Sequence, residues 1–107
     1  YESVDYDVGV GDISAAKAEA EKLEIAGAER TYKYKIDVVG YNPGRIDIID
    51  VKPRAHPANN GQIKGYLSMF RKENKPTEIL RPVIIAADKF PQAEELAAEE
   101  GVAVIIV

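Results

Sequence analysis

The sequence predicts an α/β fold, a mixed sheet sandwiched by helices in the order α-β-β-α-β-α-β. Two stretches rich in β-branched and aromatic residues flank Asn42-Pro43-Gly44, a strong hairpin signal. Beyond them, helical periodicity alternates with strands, and the last strands, within 79–87 and 102–107, are nearly continuously apolar, as strands covered on both faces are. At 107 residues, 46% hydrophobic and 30% charged, the chain forms one domain, too apolar for a disordered segment. No apolar run reaches the roughly 18 residues of a membrane span. Cysteine is absent, which removes disulfides and thiolate chemistry and suits a reducing cytoplasm.

The acidic start, 1–12, reads as a flanking segment, and Tyr1 in first place with Met69 the only methionine suggests a domain taken from a longer protein. Asp12 can cap a helix over 13–26, in which Ala16, Ala20 and Leu23 share a face and Gly27 supplies the stop. Strands follow over 31–41 and 45–52. Asn60 can then cap a helix over 61–73, with Ile63, Tyr66, Leu67 and Phe70 at i, i+3, i+4 and i+7. A strand over 79–87 leads to a helix opened by Pro91 and ended by Gly101. The final apolar strand leaves open pairing with a second copy, hence a homodimer.

Net charge is −4, from 14 Lys and Arg against 18 Asp and Glu, which at first disfavours a nucleic-acid partner. The distribution reverses that inference. Segment 1–50 sums to −5 and 82–107 to −4, whereas 51–81 carries +5. On the helix over 61–73, Lys64, Ser68, Arg71, Lys72 and Lys75 recur at three- and four-residue steps away from the apolar face. With Arg54 they form a surface suited to the phosphates of DNA.

A symmetric turn at Pro43-Gly44 pairs residues whose numbers sum to 87, placing Val38 opposite Ile49, Val39 opposite Ile48, and Asp37 opposite Asp50. Two facing carboxylates among apolar neighbours repel unless one is protonated or a cation lies between them. Oxygen ligands suit Mg²⁺ or Mn²⁺, with a backbone carbonyl and waters completing the shell, and no Cys or His cluster favours zinc. Lys52, on the same face as Asp50, could orient an attacking water, so the set suits metal-assisted phosphodiester hydrolysis. The bland alternative is a cross-strand ion-pair network with Lys35 and Lys52. His56, in a Pro-flanked loop, reads as a turn residue and stays outside the catalytic set.

Asp37, a twelve-residue interval and Asp50-Val51-Lys52 at the end of an apolar strand resemble the PD-(D/E)xK nuclease superfamily, the restriction-endonuclease-like fold. The stretches 36–40 and 48–52 look like its archaeal Holliday-junction resolvase and small repair-nuclease branches. The resemblance implies a metal held by Asp37, Asp50 and the Val51 carbonyl, with Lys52 assisting the water. Gln62 and Tyr66 match a Gln-x-x-x-Tyr arrangement whose glutamine lies near the active site, and Tyr66 joins the residues expected at DNA. Many relatives add a glutamate from the first helix. The usual slot falls near Ala16 here, and Glu19 is the best substitute. The expectation is therefore a Mg²⁺- or Mn²⁺-dependent endonuclease of repair, recombination or restriction type. A catalytically impaired nucleic-acid-binding module of the same fold and a structural or assembly domain are the alternatives.

Overall fold

The computed structural model describes residues 1–13 and 32–107. They form one five-stranded sheet in the order β1-β2-β3-β4-β5, built from β1 (Ser3–Asp12), β2 (Tyr32–Asn42), β3 (Arg45–Ala55), β4 (Ile79–Lys89) and β5 (Ala103–Ile106). Helix α1 (Asn59–Asn74) connects β3 to β4, and α2 (Ala93–Glu99) connects β4 to β5. The first two junctions of the sheet are antiparallel and the last two parallel. This is the expected mixed α/β architecture, since each parallel pair needs a helical crossover and has one. The helix expected over 13–26 lies outside the described residues except for Ile13, as does Glu19.

One strand was not anticipated. Residues 3–12, read from sequence as a flanking segment, form β1, antiparallel to β2 from Ser3↔Tyr41 to Asp12↔Tyr32. Val4, Tyr6, Val8 and Val10 alternate as a strand should, but interleaved acids and glycines, poor strand formers, hide the pattern. Val10 is buried in the core. At the end of the strand, Glu73 of α1 accepts the N–H groups of Gly11 (2.8 Å) and Asp12 (2.9 Å), tying β1 to the helix.

The hairpin has the expected register from Asn42↔Arg45 to Val38↔Ile49. Gly44 carries the positive φ of 75° that the third position of a type II turn requires. Ile63, Leu67 and Phe70 of α1 face the sheet and join Ile36, Val39, Ile48 and Ile84 in one core. Fully burying such a side chain is worth about 1.5–3 kcal/mol, so this helix is fixed by its apolar face. It starts two residues earlier than the sequence suggested. Asn60 is buried and does not cap it, while Asn59 Oδ1 accepts the N–H of His56 at 2.9 Å.

A buried charge cluster braces the turn end of the sheet. Asp47 is 0% exposed and lies beside Arg81 in the β3–β4 register. Arg81 Nε and a terminal guanidinium nitrogen donate to its two oxygens at 3.0 and 2.8 Å. Arg45 Nε approaches to 3.0 Å as an ion pair without an aligned hydrogen bond, and the Tyr1 hydroxyl donates at 2.7 Å. The Tyr1 ring reaches across Gly40, where a Cβ would run into it. Burial pushes the Asp47 carboxyl up, but these donors outweigh it and hold the group below the usual carboxylate range. Arg81 is thus committed to the scaffold and leaves the basic surface.

Candidate metal and nucleic-acid site

Beyond Val38↔Ile49 the hairpin opens. Sequence symmetry predicted that Ile36–Val51, Asp37–Asp50 and Lys35–Lys52 would continue the ladder, and they do not. From there β2 continues beside β1, through Val8↔Ile36 and Gly9↔Lys35, while β3 continues beside β4 as far as Ala55↔Lys89. The cause is local. In a ladder starting at Asn42↔Arg45, hydrogen-bonded pairs alternate, so Val51 N–H would go to Ile36. It goes instead to Asp37 Oδ2, at 2.9 Å. A side chain replaces the backbone acceptor, and the strands part around it.

Asp50 lies at this fork. It is 5% exposed, and its Oδ2 has no hydrogen-bond partner although Lys52 Nζ stands 3.4 Å away. Its carboxyl is pushed up to about 6, first by burial and next by the neighbouring Asp37 carboxyl, with the Lys52 charge working in the opposite direction. So the predicted juxtaposition of two acids and a lysine is present, made by a fork and not by a regular ladder. Groups that leave a strand on the same edge as a hydrogen-bonded pair share a side, so the Val51 carbonyl, like its N–H, faces the opened β2 edge.

A buried carboxylate oxygen that has an ion pair at 3.4 Å but no hydrogen bond keeps acceptor capacity to spare, and such an oxygen beside a second carboxylate fits a hard divalent cation. Asp37, Asp50 and the Val51 carbonyl are the donors at hand. No group of three or more His, Cys, Asp or Glu side chains is close enough to hold a metal among the described residues. Asp7, which faces Asp37 in the β1 register, breaks that ladder with a φ of 52° and does not complete such a group.

The remaining expected residues divide into two sets. Gln62 Nε2 donates to the Tyr66 hydroxyl at 2.9 Å, and no hydrogen bond joins it to Asp37, Asp50 or Lys52 among the described residues. Tyr66 is half-buried, packs against the core and meets the ring of Tyr34 at 5.7 Å between centroids. Together with Gly61, Gly65 and Met69 they line a cleft of about 220 Å³. By contrast, Lys64, Arg71, Lys72 and Lys75 are all exposed, and none is engaged in an ion pair among the described residues. Arg54 is exposed as well, but it packs on Phe90 and pairs with Asp88. Sequence reading missed Phe90, because only the β3–β4 register, with Arg54↔Asp88, brings it to Arg54.

No protein-family model matches the chain, and no curated protein does. Among solved structures, it resembles a repair endonuclease from Pyrococcus abyssi, with 21% identity and a TM-score of 0.59 over 88% of this chain and 45% of that one. It also resembles EndoMS in a complex with dsDNA, with 18% identity and a TM-score of 0.56 over 92% of this chain and 36% of that one. At such identities the likeness is one of fold. The chain spans less than half the length of either structure.

Proposed function

We propose that this domain is the catalytic unit of a Mg²⁺- or Mn²⁺-dependent endodeoxyribonuclease of the PD-(D/E)xK superfamily, working in DNA repair, recombination or restriction. The observation that carries the reading is the buried Asp50 Oδ2, which has no hydrogen-bond partner, at a strand fork beside Asp37 and Lys52. Asp37, Asp50 and the Val51 carbonyl would hold the cation, with Glu19 as a further acid. Bound there, it would polarise the phosphodiester and acidify a water. Lys52, whose Nζ lies 3.4 Å from Asp50 Oδ2, would hold the attacking water and steady charge on the phosphate. Gln62, fixed by Tyr66, shapes the helix side of the cleft. The exposed Lys64, Arg71, Lys72 and Lys75 would position the DNA backbone, independently of sequence. The likeness to a repair endonuclease and to EndoMS with dsDNA supports the same reading.

The proposal extends to flanking domains, since both similar structures are more than twice as long as the matched part, and to a cytoplasmic setting, where a DNA-cutting enzyme would meet its substrate. No helix among the described residues is long and apolar enough to cross a membrane. A homodimer could form at edge strand β5, whose Ile105 and Ile106 are exposed. One observation favours a second reading, a binding module with impaired catalysis: the described residues supply two acids to the site and no third. A nicking assay on plasmid and branched DNA, with and without Mg²⁺ or Mn²⁺, separates the two. Metal-dependent cutting abolished by Asp50→Asn supports the nuclease, and binding with no cut at any metal concentration supports the module.

A further inference from the structure

We propose that Arg54 and His56, both locked onto Phe90, form a phosphate-binding notch that seats a DNA backbone phosphate next to the one attacked, an inference that rests on the nuclease reading above. Side chains alternate along β3, so Asp50, Lys52 and Arg54 emerge on one face, passing from buried to exposed. Arg54 lies two residues, about 6.6 Å, beyond Lys52. That step is close to the spacing of successive phosphates, so a backbone running along β3 from a reacting phosphate at Lys52 would meet Arg54 next. The notch is at the carboxyl ends of the parallel strands β3 and β4, where open α/β sheets bind their ligands.

The side chains are held in place before any ligand arrives. Phe90 N–H donates to the Ala55 carbonyl at 2.9 Å, which ties its backbone to the end of β3. The Arg54 guanidinium carbon lies 3.9 Å from the ring centroid, and the His56 ring meets the edge of Phe90 at 4.9 Å and 77°. Freedom that a solvated arginine would lose on binding is already lost, which favours affinity. Asp88 approaches Nε at 3.4 Å, and both side chains are exposed. Such a pair is weakly held, so the five-donor guanidinium can turn to a phosphate at little cost.

His56 adds a second donor. Its Nδ1 accepts the N–H of Ala58 at 3.0 Å, so the neutral ring carries its proton on Nε2. The notch thus offers a planar, bidentate cation and an imidazole N–H around one aromatic ring, chemistry that suits a phosphate diester. Arg54 covers the face of Phe90, which disfavours base stacking, so the contact should carry no sequence preference.

The test is binding of a labelled DNA duplex, by fluorescence anisotropy in EDTA over a salt series, so that nothing is cut. Arg54→Gln should weaken binding about five- to tenfold, equally on two unrelated sequences, and reduce the log–log salt slope by about one. His56→Gln should cost about two- to fivefold. Phe90→Leu keeps bulk but not the π face, and should reproduce part of the Arg54 loss, adding to Arg54→Gln in the double variant no more than the His56 share. Lys89→Gln removes a neighbouring charge held by Glu94 at 3.0 Å, and should bind as wild type. An unchanged salt slope in Arg54→Gln, or an equal loss in Lys89→Gln, overturns the notch. Both Arg54 and His56 are exposed, so their variants test it even if Phe90→Leu misfolds. Arg54-dependent binding without metal-dependent cleavage sinks the nuclease reading and leaves the notch standing. Absence of any DNA binding overturns both.

Discussion

Asp37 Oδ2 accepts the backbone N–H of Val51 at 2.9 Å, a hydrogen bond that a continuous hairpin would have given to Ile36. That substitution opens the sheet where Asp50 is buried, so one carboxylate both forms the fork and lines it. Asp37→Asn can still accept from Val51 through its carbonyl oxygen, whereas Asp37→Ala cannot. Removing that acceptor should cost about 0.5–1.5 kcal/mol in Asp37→Ala and less in Asp37→Asn, read by denaturant melts. Both should lose metal-dependent activity, because both remove the negative charge.

Asp50→Asn should stabilise the metal-free protein while abolishing catalysis. The folded carboxyl, at about 6, lies above its unfolded value of 3.8, so the folded state binds more protons between these limits. Its contribution is fully present below about pH 3.8 and lost as pH rises through 6. At pH 7.5 the wild type therefore bears the cost of a buried anion that asparagine lacks. A gain on the order of 1–2 kcal/mol is expected, or about 4–8 °C per kcal/mol for a domain of this size. The gain should vanish near pH 4, which paired thermal melts would detect.

Metal affinity should be controlled by the same group. A cation held as proposed would need Asp50 ionised, so Mn²⁺ affinity should fall about tenfold per pH unit below 6, with close to one proton released on binding there. Calorimetry in buffers of different ionisation heat measures that proton directly. An affinity flat from pH 5 to 8 would place the metal elsewhere.

Lys52→Ala should lower the cleavage rate about 10²–10⁴-fold. Because the Lys52 charge opposes the upward shift at Asp50, its removal should also move the acidic limb of the pH–rate profile to higher pH. A lysine that acts only through its charge on Asp50 would move that limb and leave the plateau rate near wild type.

The opposite end of the sheet should matter for stability and not for chemistry. Asp47→Ala strands two part-exposed arginines and the Tyr1 hydroxyl, and should cost about 2–3 kcal/mol, below the 3–5 of fully buried pairs. Since the folded Asp47 carboxyl lies below its ordinary value, its contribution is present above pH 3.8 and lost as pH falls further. Cleavage per folded molecule should equal wild type. A specific-activity loss beyond the unfolded fraction would tie this network to the site.

Much of this was legible in the sequence. The turn residues Asn42-Pro43-Gly44 and the apolar alternation around them determine the register, and with it the approach of Asp37 to Asp50. The helical period of Ile63, Leu67 and Phe70 likewise determines which side of α1 carries Lys64, Arg71 and Lys72. The fork was not legible, because it depends on a carboxylate outcompeting a backbone carbonyl for one N–H. The clusters around Asp47 and Phe90 were equally hidden. Both arise from the parallel β3–β4 register, which joins residues 34 apart and leaves no local pattern. In β1 the alternation of Val4, Tyr6, Val8 and Val10 was present, but acids and glycines between them masked it.

The central claim is that Asp37, Asp50 and Lys52 form a metal-dependent phosphodiesterase centre. The most direct measurement is cleavage of plasmid and branched DNA in Mg²⁺ or Mn²⁺ by the wild type, Asp50→Asn and Lys52→Ala, with folding of each verified by melting. The account predicts metal-dependent cutting by the wild type, lost by at least about 100-fold in both variants. Metal-dependent cutting that persists unchanged in both would contradict it.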